Sequence, residues 1–562
     1  MIAFFFILSV TSAYVKSPTI DEPNHFTRGY AYFHAPDLRL NTHHPPIANA
    51  LSYLPAAGAL HYSINFSSNQ WNNAYLSEIA KPFEELLYKN KIVLLTSRLT
   101  TIFIGVLLGY CIFIFTNRYF GKKTALIALA LYSFSPSVLA HTRLITTDIP
   151  ATFSIFLTLW FFIEFLQNQN IKKFFLFCVS FCLALLIKYS AMLLFPVYLI
   201  TYLVYEVLIR KEKKIRKVLY TTLKYSAFFV FIFFLLLSLV FRFESPTFRQ
   251  TFHSPDKWDE FTLFLTNNAP SFSVAPILSV SEKISLPGMY YWNGLFDNVI
   301  NHNIKGHPTY LLGSNSTHGS WLFFPMSILF KTTPAILAGL IISFYFFTNS
   351  LINKNIRKEK FTEKNTIIFL TFFIFILFFF CVALNSRIQI GIRHLLPIFP
   401  PVFIFIAYSL KSIFLDKKWG NTIGSIFVST HIASSLLIYP HFIEYFNLLS
   451  GGPKNGYRIF LDSNLDWGQN KYYVEKYAEK IKNSYPNTKV FYKDMQKCIF
   501  SPGFYIISAN ELYGLADKNQ FRYAWLKDNF SPIDRIHNTH FVYSVPKTTQ
   551  LDKRYKFLCR KN

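Results

Sequence analysis

The stretch IAFFFILSVTSAYVKSPTIDEPNH, residues 2–25, decides how the rest of the chain is read. Its opening run, Ile2 to Val15, is almost wholly apolar, and a pair of carboxylates, Asp21 and Glu22, follows soon after. Fourteen residues make about 21 Å of helix, short of a ~30 Å hydrocarbon core. No basic segment precedes the run, and Thr11-Ser12-Ala13 makes a poor cleavage site, so the segment is expected to be an anchored first helix and not a removed leader. Two carboxylates at the mouth of a membrane helix are costly to hold near lipid, which favours a chemical role over an idle pair in water.

Composition agrees with that start. The chain has 562 residues, 52% of them hydrophobic and 19% aromatic, with 64 Phe against 20 Gly. Runs of about 20 apolar residues recur, the length that crosses a bilayer as helix. After Ile2 to Val15 the expected spans are 92–116, 124–140, 149–166, 174–187, 191–209, 218–241, 320–347, 366–383, 395–410 and 421–439. The expected fold class is an all-α polytopic membrane protein with about eleven transmembrane helices. Residues 1–440 would form the membrane body, with long loops at 16–90 and 242–319. Pro45-Pro46 and Pro55 break the first loop into short interfacial helices.

A net charge of +26 does not indicate nucleic acid here, because Lys and Arg fall in short clusters between apolar segments. The loops 117–123, 167–173, 210–217, 348–364 and 411–418 hold 19 of them, whereas 141–148, 384–394 and the turn at Lys188 hold four. By the positive-inside rule the first set is cytoplasmic. The acidic pair, both long loops and everything beyond Tyr439 then face the other side, the periplasm or exterior of a bacterial inner (plasma) membrane. Cys111, Cys178, Cys182 and Cys381 lie in apolar runs, and no metal-ligand spacing appears. Cys498 and Cys559 can pair only in an oxidising compartment.

This topology gathers the unusual polar residues on one face. They are Asp21, Glu22, His43 and His44 of HHPP, Asp148 closing HTRLITTD (141–148), Lys188, His307, Lys331, Arg387 and Arg393. Residues kept for structure alone would scatter over both faces, so the convergence favours one extracytoplasmic site at membrane level. Asp148 also suits a helix cap ahead of Ile149-Pro150. Lys188 and Lys331 have a bland alternative too, snorkelling to the headgroups.

The ordered set DEPNH (21–25), HHPP (43–46), Arg98, SPSVLAHTRLITTDIPATF (135–153), LIKYSAMLLFPV (186–197) and GIRHLLPIFPP (391–401) resembles a known family. It is similar to the polyprenyl-phosphate-sugar-dependent glycosyltransferases of the GT-C superfamily. Within it the likeness is to family 39-like bacterial relatives of protein O-mannosyltransferase and of the lipid A aminoarabinose transferase. Residues 291–334 and 446–470 resemble a bacterial and archaeal subgroup, and the likeness extends to about residue 475.

The resemblance implies a hexosyl- or pentosyltransferase that inverts the anomeric centre. Its donor is a polyprenyl-phosphate-linked sugar, its acceptor a protein or glycolipid, and its surroundings membrane lipids. Such transfer needs a base near the anomeric carbon and positive charge at the leaving phosphate. By the resemblance Asp21 is the first candidate base and Glu22 the next, while Asp148 matches a second acidic position. Arg393 matches the basic position of the family's RY-LP-P pattern, with His394 in place of the aromatic. Together with Lys188 and Lys331 it is expected at the donor phosphate. His43, His44 and His307 are expected at the acceptor or in the loops. No cofactor is certain; for a possible divalent cation the candidate ligands are Asp21, Asp148 and His44.

Residues 441–562 are expected to form a small extracytoplasmic α/β domain. DSNLDWGQN (462–470) supplies Asp466, an acceptor-site or loop residue. A helix at 474–485 and strands at 490–494, 504–510 and 540–545 follow. Asn65 and Asn315 begin glycosylation patterns that matter only in a host with the machinery. Two other functions compete. A transporter or flippase of lipid-linked glycans predicts internal repeats and helices broken near the midplane, and the sequence displays neither. A glycan ligase or polymerase predicts an Arg- and His-rich external loop, whereas 242–319 is mostly aromatic and polar.

Overall fold

The computed structural model describes residues 1–59, 63–210, 215–268, 270–353, 362–415, 417–492, 501–515 and 522–546. Parts of the basic loops 210–217, 348–364 and 411–418, the end of the strand expected at 490–494, and Cys498 and Cys559 fall outside them.

The described residues are mostly helical. Six helices are long and apolar enough to cross a membrane: Lys91–Phe120, Asp148–Gln167, Tyr189–Val207, Val218–Val240, Glu363–Asn385 and Ile392–Phe414. Two expected spans are not continuous. Lys122–Ser133 and Pro136–Thr142 meet at 61°, and Phe323–Lys331 and Pro334–Ser350 at 116°. A proline opens the second helix of each pair, and its ring drives the preceding residue out of the α region. Ser135 and Thr333 are accordingly extended, with ψ of 118° and 153°. Counting each bent pair as one span gives up to eight crossings by length and composition, so the chain is a multi-pass membrane protein. Ile2–Val15 is apolar and short, as its sequence suggests.

Side chains cap two of these helices at their N-termini. Asn90 Oδ1 accepts the N–H groups of Ile92 and Val93, both at 3.1 Å, and starts Lys91–Phe120. Thr333 does the same for Pro334–Ile352 through the Ile336 N–H.

The first long loop folds into short helices, including Glu22–His34, Ile47–Tyr53 and Lys81–Lys89. Gly29 sets how closely the first two approach, because a Cβ there would lie 2.3 Å from the Asn49 carbonyl oxygen. The chain entering at Asp21 and the chain leaving HHPP are thereby packed together. The second long loop contains Pro255–Asn268, Ser271–Lys283, Met289–Leu295 and a π-helical turn, Phe296–Asn301. It closes with a small antiparallel hairpin, β1 (Thr309–Leu311) and β2 (Ser314–Ser316).

Toward the C-terminus, β3 (Val490–Phe491), β4 (Gly503–Ser508), β5 (Asp534–Ile536) and β6 (His540–Val545) form one sheet in the order β3-β4-β6-β5. β3 and β4 are parallel, and the other pairs are antiparallel. Helix Lys471–Ser484 lays Val474, Ala478 and Ile481 on Ile506, Ile536 and Val542, the one-face spacing that buries an amphipathic helix. Residues 441–470 belong to neither layer. They run in short turns against the membrane helices, where Asn447 Nδ2 donates to the Leu329 and Thr332 carbonyls and Ser463 Oγ to that of Ile390.

Candidate functional site

Two short-range events deliver Asp21 and Arg393 to the same place. Asp21 stands at the N-terminus of Glu22–His34, its carboxylate unused as a cap and 35% exposed. Arg393 lies in the turn Ile392–Ile398, which Pro397 keeps out of regular α-helix. Its Nη1 and Nη2 each reach Asp21 Oδ2 at 3.4 Å. Nη1 is also 3.8 Å from Asp148 Oδ2. Lys188 Nζ donates to Asp148 Oδ1 at 2.5 Å. Two carboxylates and two cations from four separate stretches thus form one chain, Asp21–Arg393–Asp148–Lys188.

They line a cavity of about 780 Å³. His25, His43, His44, His302 and His307 also face it, and Met192, Leu193, Phe378 and Val382 give it an apolar wall. A narrower recess of about 160 Å³ continues from Asp21 past His25 and Arg28. Burial, and then the Arg28 cation, push His25 down to about 4, so it is neutral near pH 7. Two polar atoms at the centre, Arg393 Nε and Asp148 Oδ2, are buried with no hydrogen-bond partner among the described residues. Buried polar groups are nearly always paired, so orphaned atoms of opposite sign mark a place shaped for another molecule.

Asp148 is the first residue of its helix, with Thr147 before it, and its carboxylate caps nothing. The alternative of an N-cap is therefore corrected: Lys188 and Arg393 draw the side chain away from the helix end. Glu22 does not share the site. It is fully buried, bound by Arg98 Nε at 2.8 Å and Nη2 at 2.6 Å and by the N–H groups of Thr19 and Ile145. Burial alone would raise its pKa, but Arg98 and these donors hold it below the ordinary value. Lys331 is likewise taken up. It donates to the carbonyls of Ile443 at 2.7 Å and Asn464 at 2.5 Å, sits over the Phe446 ring and does not line the cavity. Lys331 neither snorkels nor meets a phosphate there, because these carbonyls satisfy its ammonium.

Asp466 also lies elsewhere. It lines a second cavity of about 790 Å³ with Glu84, Lys471 and Glu475. Burial raises its pKa to about 7 against the opposing hydrogen bond from the Gly468 N–H. Its neighbour Trp467 is the residue that sequence reasoning missed. The Arg393 guanidinium stacks 4.1 Å from the Trp467 ring, and the Trp467 carbonyl accepts the Ile20 N–H at 3.0 Å, one residue before Asp21. The same segment receives Ile392 N–H on Asn464 Oδ1 at 3.0 Å. A Cβ on Gly391 would meet Ser463 Oγ at 2.5 Å, so the close approach of the two segments needs glycine. The indole stands in DSNLDWGQN, but a lone Trp in an irregular stretch carries no spacing that ties it to a distant arginine.

Among the described residues one group of His and carboxylate ligand atoms is close enough to share a metal ion: His43, Asp297 and His302. Asp21, Asp148 and His44, the expected set, form no such group, because Arg393 and Lys188 occupy the two carboxylates.

Residues 89–238 match the family model described as dolichyl-phosphate-mannose-protein mannosyltransferase. No curated protein matches the chain. Among solved structures, ArnT from Cupriavidus metallidurans in the apo state is 10% identical over 96% of both chains, with a TM-score of 0.43. ArnT from the same organism bound to undecaprenyl phosphate is 12% identical over 97% of both, at 0.28. Archaeal oligosaccharyltransferase AglB from Archaeoglobus fulgidus, in complex with an inhibitory peptide and a dolichol-phosphate, is 14% identical over 86% of this chain and 58% of that one, at 0.43. With TM-scores below 0.5 these likenesses carry no argument. The family match covers residues 89–238 of the 562, and over that stretch the chain is similar to the dolichyl-phosphate-mannose-protein mannosyltransferases.

Proposed function

We propose that this protein transfers a monosaccharide from a polyprenyl-phosphate carrier to a protein or glycolipid acceptor at the extracytoplasmic face of a bacterial plasma membrane. The observation that carries the reading is the convergence of Asp21, Asp148, Lys188 and Arg393 on one cavity with an apolar wall. In this account Asp21 takes the proton of the acceptor hydroxyl or amine as that atom bonds to the anomeric carbon. The bond from the anomeric carbon to the phosphate oxygen breaks, and its electron pair leaves with the carrier phosphate beside Arg393. Attack opposite the leaving group inverts the sugar. Asp148, pinned by Lys188, fixes the inner edge of the arginine.

The assignment of the face rests on the uneven distribution of Lys and Arg among the loops of the sequence. Eleven crossings follow if the six long helices and two bent pairs are joined by the shorter helices Ile2–Val15, Ile171–Leu185 and Gly420–Leu436. Residues 1–440 are then the transferase body, and 441–562 carry the external sheet.

Trp467 beneath Arg393 offers an optical probe of the donor site. Titration of the detergent-purified protein with a polyprenyl phosphate should change its tryptophan emission. Arg393→Ala should weaken that binding by roughly 10- to 100-fold, the loss expected for a hydrogen bond to a charged group. Equal affinity in wild type and Arg393→Ala would remove the arginine from the donor site.

A further inference from the structure

Arg28 is a buried cation with no anion against it. It is 6% exposed, and burial lowers its pKa to about 10, so it keeps its charge at neutral pH. Its Nε donates to the Leu40 carbonyl at 3.2 Å. Nη1 and Nη2 have no hydrogen-bond or ion-pair partner among the described residues. Asp21 acts on the cation only from a distance, because the Asp21 carboxylate faces Arg393. Burying a guanidinium is costly unless an opposite charge and hydrogen-bond acceptors meet it.

Helical spacing aims this cation at a defined place. Asp21 stands just ahead of Glu22–His34, and Asn24, His25 and Arg28 follow it at three, four and seven residues, which sets all four on one face. All four line the recess of about 160 Å³ that continues from Asp21. Seven residues of helix rise about 10 Å, so Arg28 marks the far end of that recess from the carboxylate. The remaining lining residues come from the loop at His44 and the turn at Asn298, and every one is polar. His25 is fixed between them, with Nδ1 against Asn49 Oδ1 at 2.9 Å and its ring stacked on that of His44 at 5.1 Å between centroids.

We propose that this recess receives an acidic group, a carboxylate or a phosphate, carried by the acceptor, and that Arg28 is the residue that selects for it. The N–H groups of Nη1 and Nη2 form a fork that matches two oxygens of either anion, and such a charge-assisted pair is stronger than a neutral hydrogen bond. The polar lining excludes a lipid tail, which the apolar wall of the main cavity suits instead. Asp21 lines both spaces, whereas Arg393 lines only the main cavity and Arg28 only the recess. An anion at Arg28 is therefore distinct from a carrier phosphate at Arg393, and a molecule anchored at Arg28 presents its next atoms to the Asp21 carboxylate. The presence of an anion rests on the unpartnered guanidinium; its place on the acceptor rests on the proposed reading of Asp21 as the base.

The full chain in detergent, its donor site filled with polyprenyl phosphate, is melted in rising inorganic phosphate and, separately, in rising acetate, with chloride holding the ionic strength constant. An anion that binds only the folded protein raises the melting temperature as it saturates, while general salt effects act alike on every variant. The wild type should show that rise with at least one of the two anions. Arg28→Met keeps the length and loses the charge, and its midpoint should move at least tenfold higher; Arg28→Lys keeps the charge without the fork and should move about threefold. Should Arg28→Met not fold, Arg28→Lys decides. In vesicle transfer, Arg28→Met should raise the acceptor KM at least tenfold and leave the donor KM unchanged. The proposal is overturned if the wild type responds to phosphate and acetate as it does to chloride, so that the recess holds water only, if both variants respond as the wild type does, or if the donor KM changes and the acceptor KM does not. Failure of polyprenyl phosphate to change the tryptophan emission counts against the donor reading alone, and the melting comparison is then made without it.

Discussion

Asp21 keeps part of its carboxylate open beside Arg393, while Glu22, the next residue, is sealed against Arg98. The first turn of a helix sends neighbouring side chains about 100° apart, and here that angle separates a cavity from a core. The two residues should therefore fail differently. Glu22→Gln leaves the Arg98 guanidinium buried without its charge partner, a loss of about 3–5 kcal/mol for a buried pair broken on one side. It should lower the melting temperature and the folded yield, and the folded fraction should transfer sugar normally. A variant with unchanged melting and lost turnover would bring Glu22 back to the site.

Asp466 makes a second prediction at this scale. Its folded pKa of about 7 stands above the ordinary carboxylate value of 3.8, so the buried acid is most stable when protonated. The stabilisation is fully present below about pH 4 and is lost as pH rises through 7. Asp466→Asn keeps an acceptor oxygen for the Gly468 N–H and removes the titration. Melting curves should then diverge, with the variant gaining on wild type from pH 5 to pH 8 by up to a few kcal/mol. A difference that does not change with pH would contradict the buried acid. From the sequence, the charge and the convergence of Asp21, Asp148, Lys188 and Arg393 on one cavity were legible. The true partners of Glu22 and Lys331 were not, because they depend on carbonyls and side chains brought in from distant stretches.

Among the elements, the segment from Asp462 to Asn470 does most to shape the site without lining it. It carries the indole beneath Arg393, the carbonyl that anchors Ile20 and the amide that fixes Ile392. A cation stacked on a buried ring contributes about 0.5–2 kcal/mol, so Trp467→Ala should weaken donor binding by roughly 3- to 30-fold. Trp467→Phe, which keeps a ring face, should recover most of that loss. If phenylalanine is no better than alanine, the indole supports the fold and not the arginine. Its order along the chain was visible in advance; its docking between the segments at Ile20 and Ile392 was not, since short irregular turns carry no periodicity. The bends at Pro136 and Pro334 divide along the same line. A proline announces a break, but the angles of 61° and 116° depend on what each half packs against.

For the molecule as a whole, hydrophobic runs were enough to anticipate a multi-pass protein. They could not distinguish a straight crossing from a bent pair, nor show that residues 441–470 return to the membrane body before the sheet begins. The central claim is that the cavity around Asp21 and Arg393 catalyses transfer from a lipid phosphate with Asp21 as base. The most direct test is transfer of radiolabelled sugar from polyprenyl phosphate in sealed vesicles, comparing wild type with Asp21→Asn at equal expression and equal donor binding. The account predicts labelled acceptor and released carrier phosphate for the wild type, and a fall of roughly 10²- to 10⁴-fold for Asp21→Asn, the range for loss of a positioned base. Transfer by Asp21→Asn at the wild-type rate would contradict it.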